Sequence, residues 1–221
     1  MTLKTVTGSA VGTQDSLALR KLTHDELQSG TRYITLGNSL GCIPFKNQSQ
    51  YCVSCGEEIF LLNGIRFTLW ANLQLPQTEA EVEELLSSGL NGLAEQEEVV
   101  HEWSELKNMH LVVHLPKCPG DILDWHDICP MAQGVGLGED SETPGVFLVA
   151  MQNGELAARV NVAGYLFWGL SNNRRSAREI VDIVCQILGV SQEEGLELLD
   201  APLLFESLLQ VGALRLNLLD T

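Results

Sequence analysis

Residues 154–179 read GELAARVNVAGYLFWGLSNNRRSARE, and 98 positions earlier residues 56–81 read GEEIFLLNGIRFTLWANLQLPQTEAE. Laid together without a gap, the two segments pair Gly56 with Gly154, Glu57 with Glu155, Asn63 with Asn161, Trp70 with Trp168 and Glu81 with Glu179. Chance supplies roughly one or two identities over such a length, so the match marks an internal duplication. Conservative pairs fill the intervals: Leu62 with Val160, Phe67 with Tyr165, Leu69 with Phe167, Val82 with Ile180.

Outward from this segment the two copies continue in step. Asn153-Gly154 lies between apolar runs and predicts a two-residue type I′ hairpin turn, in which both central residues need positive φ. Cys55-Gly56 occupies the corresponding turn of the first copy. Upstream, LGNSLG at 36–41 and QGVGLG at 133–138 read as glycine-rich entries to the hairpins. Downstream, each copy has an apolar-periodic helix carrying Trp70 or Trp168. Each then restarts at an S/T-x-x-E capping box, Thr78 to Glu81 and Ser176 to Glu179, the spacing that satisfies two amides at a helix N-terminus. A third helix follows, with Trp103 and Leu106 in one copy and Leu204, Phe205, Leu208 and Leu209 in the other. Short strands close the units at 110–115 and 213–218. Alignment there needs an offset of 103, which leaves extra residues in the second copy around a further box, Ser191 to Glu194.

The expected fold class is therefore α+β, with two tandem winged-helix-like repeats, each a hairpin, three helices and a closing strand. The repeats span 31–115 and 133–221. Residues 1–30 read as an N-terminal arm with a short helix over 16–28, and 116–132 as a linker that packs down through Ile122, Trp125 and Ile128.

Composition narrows the function. Among 221 residues, 29 acidic side chains against 13 basic give a formal net charge of −16, a field that repels phosphate backbones and anionic membranes. No apolar run approaches the ~18 residues of a membrane span, and the N-terminus lacks the apolar block of a signal peptide. A soluble, cytoplasmic protein is expected. The six cysteines then read as free thiols rather than a disulfide framework.

The second copy's pattern is a hairpin entering G-E-x-x-x-x-V-N, an aromatic-Trp helix, a Ser-capped helix with R-E-I-V, and a final L-L-x-x-G-A-L. It resembles the small winged-helix domain of pyrroloquinoline quinone biosynthesis protein D, which recurs as the leader-peptide recognition element of peptide-modifying enzymes. The resemblance implies a non-catalytic module that needs no cofactor or metal. Its partners would be a ribosomally made peptide and the enzyme to which that peptide is presented. Strand addition would supply affinity through main-chain hydrogen bonds and selection through side-chain pockets. The implied peptide edge is Leu156, Ala158 and Val160, with Phe205, Leu208 and Leu209 lining the adjacent groove. In the first copy the same places are 59–62, Trp103 and Leu106.

Other motifs carry less. Cys52-x-x-Cys55-Gly56 has half of a zinc-site spacing, and Cys118 and Cys129 with His114 and His126 would have to supply the rest. The other copy makes the same turn without cysteine, so packed thiols are the expectation. His126, Asp127 and Cys129 lie too close along the chain for a nucleophilic dyad. The glycines at 134, 136 and 138 lack the helix start and lysine of a phosphate loop. Glu79, Glu81, Glu83 and Glu84 form a solvated face, which could also attract a basic peptide. Two alternatives stand beside peptide binding: a DNA-binding regulator, whose third helices would need more groove-reading side chains than Gln210, Lys107 and Asn108, and a structural homodimer subunit.

Overall fold

The computed structural model describes residues 30–45 and 48–219; the arm at 1–29, with its expected helix, lies outside them. The described chain is a mixed α+β structure with several small antiparallel sheets and eight helices. In order these are β1 (Arg32–Thr35), β2 (Asn38–Phe45), β3 (Gln48–Cys55), β4 (Glu58–Leu62), α1 (Gly64–Asn72), β5 (Gln77–Thr78), α2 (Glu79–Ser87), α3 (Gly89–Gly92), α4 (Gln96–Asn108) and β6 (Val112–His114). A 3-10 turn (Pro119–Asp124) leads into β7 (Ile128–Ala132), β8 (Val135–Glu139), β9 (Phe147–Ala150), β10 (Leu156–Val160), α5 (Val162–Leu170), α6 (Ala177–Leu188), α7 (Gln192–Leu199), α8 (Ala201–Gln210) and β11 (Leu214–Leu218).

Each half has a three-stranded antiparallel meander, β2-β3-β4 or β8-β9-β10. Each also pairs the strand before the meander with the strand that closes the half: β1 with β6, and β7 with β11. Equivalent hydrogen bonds recur. Thr35 N–H donates to Leu73 O and Ala132 N–H to Ser171 O; Leu36 N–H donates to Leu111 O and Gln133 N–H to Ala213 O. Asn63 and Asn161 cap α1 and α5 through their side-chain oxygens, and Thr78 and Ser176 close capping boxes on α2 and α6. Both tryptophan indoles are spent internally, Trp70 on Leu36 O and Trp168 on Ala213 O, each at 2.8 Å. One contiguous apolar cluster runs through both halves, from Leu36, Leu69 and Leu106 to Phe167, Phe205 and Leu208. Burying a side chain of that size contributes about 1.5–3 kcal/mol.

Four expectations change. The glycine-rich entries form strands, β2 and β8, with a register shift at Gly41 and Gly138. Gly37 and Gly134 just before them both have φ of +93°, and a Cβ there would stand 2.4 Å from Ser54 O and 2.1 Å from Ala150 O. Each half has four helices rather than three. The extra one is α7, capped by Ser191 and Glu194; its counterpart α3 is a stub in which Leu90 and Asn91 take left-handed conformations. Leu111 and Ala213 hold equivalent places 102 residues apart, not 103. The expected linker at 116–132 ends earlier, because β7 belongs to the second half's sheet.

The turn type changes as well. Met151 N–H donates to Glu155 O, and Gly154 N–H to Met151 O. Among the residues of that loop only Gly154 has positive φ, +84°. This is a three-residue loop, a turn over Gln152 and Asn153 followed by a left-handed glycine, rather than a two-residue type I′ turn. The first hairpin has the two-residue loop, Gly56-Glu57, with positive φ at Gly56 alone.

Candidate functional site

Among the described residues, strand β6 pairs on one edge only. Its ladder to β1 matches Tyr33 with His114, Ile34 with Val113 and Thr35 with Val112. The flanking bonds, Leu36 N–H to Leu111 O and Leu115 N–H to Arg32 O, set which residues face inward. Antiparallel pairs alternate between bonded and non-bonded, so Val113 spends its amide and carbonyl on Ile34. Val112 and His114 turn theirs away from β1, and among the described residues nothing accepts or donates to them.

The homologous edge in the second half is closed. Leu214 and Leu216 stand where Val112 and His114 do, and Gly37 N–H of the first half donates to Leu216 O at 3.0 Å. Gly56 N–H donates to the Asn217 side-chain oxygen, also at 3.0 Å. The Cys55 thiol bonds the Leu218 backbone. The first half thus caps β11, and nothing among the described residues caps β6.

The β6 edge opens onto a groove of about 840 Å³ between the halves. Trp125, Ile128, Leu218 and Leu219 give it an apolar lining, and Glu57, Glu58, Asp124 and Asp127 bring four carboxylates to it. Among the described residues no lysine or arginine lines it. Partial burial, with Lys117 nearby, lowers the His114 pKa below its ordinary 6.5. Burial pushes the Cys55 thiol up to about 11, which leaves it protonated and a poor nucleophile.

The residues expected from sequence are placed differently. Phe205, Leu208 and Leu209 are core side chains on α8, 0%, 0% and 2% exposed, and line no groove. On β10, Leu156 is exposed, Ala158 half-buried and Val160 buried. A strand added to β10 would therefore find Leu156 accessible and Phe205, Leu208 and Leu209 already packed. In the first half Trp103 and Leu106 are likewise buried, whereas Ile59 and Leu61 are exposed. Cys52, Cys55 and Cys129 are buried and Cys118 is exposed. Among the described residues no three His, Cys, Asp or Glu side chains come together in a way that could hold a metal ion, so the two cysteine pairs do not converge. The Cys129 thiol donates to Arg175 O at 3.0 Å. No helix of the described residues is long and apolar enough to cross a membrane. The run LVVHL at 111–115 is visible in the sequence as a closing strand, but which of its edges is free depends on how the halves dock. Comparison of the chain with protein-family models, with curated proteins and with solved structures found no match.

Proposed function

We propose that the chain is a non-catalytic peptide-binding module, two tandem winged-helix-like repeats that capture an extended segment as an added strand and present it to a partner enzyme. The observation that carries this reading is the asymmetry of the two closing strands: the edge of β11 is capped by Gly37, and the homologous edge of β6 faces an open groove. Val112 and His114 offer two donors and two acceptors in the plane of the sheet, the inventory strand addition uses. Each backbone bond contributes about 0.5–1.5 kcal/mol net, so contacts with Trp125, Ile128 and Leu218 supply the remainder.

The test is fluorescence polarisation with a labelled Lys-Val alternating peptide and two proline variants. Val112→Pro removes an outward amide and leaves the β1 ladder intact, since an edge strand tolerates proline where its amide faces outward. It should weaken binding about tenfold or more, the loss of a hydrogen bond together with local contacts. Ala158→Pro, on β10, should leave affinity unchanged; if Ala158→Pro abolishes binding and Val112→Pro does not, the peptide adds to β10 instead.

A further inference from the structure

The groove also specifies the chemistry of its occupant. Its four carboxylates come from three separate segments: Glu57 and Glu58 from the first hairpin turn, Asp124 from the end of the 3-10 turn, and Asp127 from the residues entering β7. All four are exposed, and none has an ion-pair partner among the described residues. Among the described residues ion pairs form elsewhere, at Arg32 with Glu206, Arg66 with Glu102 and Glu105, and Arg159 with Asp140. The carboxylates thus surround an unpaired strand edge and an apolar lining, and no lysine or arginine among the described residues pairs with them, although Lys117 lies near His114.

Resting on the strand-addition reading, we infer that the ligand of the β6 groove is an extended basic peptide whose apolar and Lys or Arg side chains alternate. Successive side chains of a strand point to opposite faces. One set meets Trp125, Ile128 and Leu218, and the other reaches the carboxylates. The same arrangement disfavours acidic segments of equal hydrophobicity, because like charges brought together at an interface oppose the wrong partner. It also disfavours a second copy of this chain, which at −16 is repelled at long range.

Three labelled peptides of one length separate the possibilities: alternating Lys-Val, Ser-Val and Glu-Val. Lys-Val should bind about tenfold or more tighter than Ser-Val at low salt, several exposed charge pairs each adding a fraction of a decade. The gap should close as salt shortens the screening length from ~30 Å at 0.01 M to ~10 Å at 0.1 M. The variant Glu57→Gln/Glu58→Gln/Asp124→Asn/Asp127→Asn should bring Lys-Val down to the Ser-Val affinity and leave Ser-Val unchanged, a comparison that a misfolded variant would fail visibly. Equal affinity of all three peptides, with Val112→Pro still reducing it, overturns the basic-ligand inference and leaves strand addition standing. No binding of any peptide overturns both. A dimer in light scattering that Val112→Pro converts to monomer would identify the occupant as a second copy and overturn the inference.

Discussion

Glu206 is 3% exposed on α8, and its carboxylate meets Arg32 at the start of β1, an ion pair that ties the two halves together. Burial raises its pKa above the ordinary 4.5, only partly offset by the Arg32 charge. The folded chain therefore holds this proton more tightly than the unfolded chain. The stability this contributes is fully present below pH 4.5 and is lost as pH rises through the raised folded value. The difference between wild type and Glu206→Gln in thermal midpoint should vary with pH in that window and level off on either side, as scanning calorimetry across pH would show. Glu206→Ala leaves the half-buried Arg32 guanidinium unpaired and should cost about 1–3 kcal/mol in urea unfolding. At Gly134 the φ of +93° and a Cβ position 2.1 Å from Ala150 O suit neither the backbone nor the space of alanine, so Gly134→Ala should destabilise by more than ~1 kcal/mol. Gly154→Ala, also at positive φ but in open space, should cost less in the same titration. At this scale the sequence was readable where chemistry repeats at a fixed offset: Asn63 with Asn161, Trp70 with Trp168, and the two capping boxes. It was silent on Glu206, because nothing in an α8 written APLLFESLLQ says that its one charge points inward to a cation 174 residues away.

Among the elements, β6 separates what the fold needs from what the proposed strand addition would use. Val113 bonds Ile34 across the ladder, so Val113→Pro removes an inward bond and should lower the thermal midpoint by several degrees. A loss of about 1 kcal/mol shifts it by roughly 2–4 °C in a chain of this size. Val112→Pro should shift it less, and circular dichroism of the two variants side by side reads the difference. The helices were largely legible, since caps and apolar periodicity are local. Strands β2 and β8 were not: LGNSLG and QGVGLG look like loops by composition, and they become strands only because a neighbouring strand pairs with them. The turn at Asn153-Gly154 was misread for a related reason. The dipeptide fits two loop lengths, and the Met151–Glu155 bond that selects the longer one depends on strand register. Phe205, Leu208 and Leu209, expected at a groove, are core side chains; an apolar helical stripe reads the same whether it lines a surface or fills a core.

Across the whole molecule, one apolar cluster spans both halves, and polar links cross between them: Arg32 with Glu206, Gly37 with Leu216, Gly56 with Asn217, and Gln210 with Pro76. The two halves should therefore unfold as a unit. Urea transitions followed by far-UV circular dichroism and by tryptophan fluorescence should superimpose, as two-state behaviour requires; separate transitions would mean that the halves are independent. The duplication was legible from residues 56–81 and 154–179 alone. The docking of the copies was not, because it depends on which face of each half meets the other.

That docking gives the twin strands unequal freedom to change. Substitutions at Leu214 and Leu216 disturb the joint between the halves and are held back by the need to fold. Val112 and His114 carry the same ancestral positions without that duty. On the strand-addition reading, a lineage could vary them to follow a changing ligand while the second half keeps the scaffold intact, so recognition and architecture would evolve on separate copies of one strand.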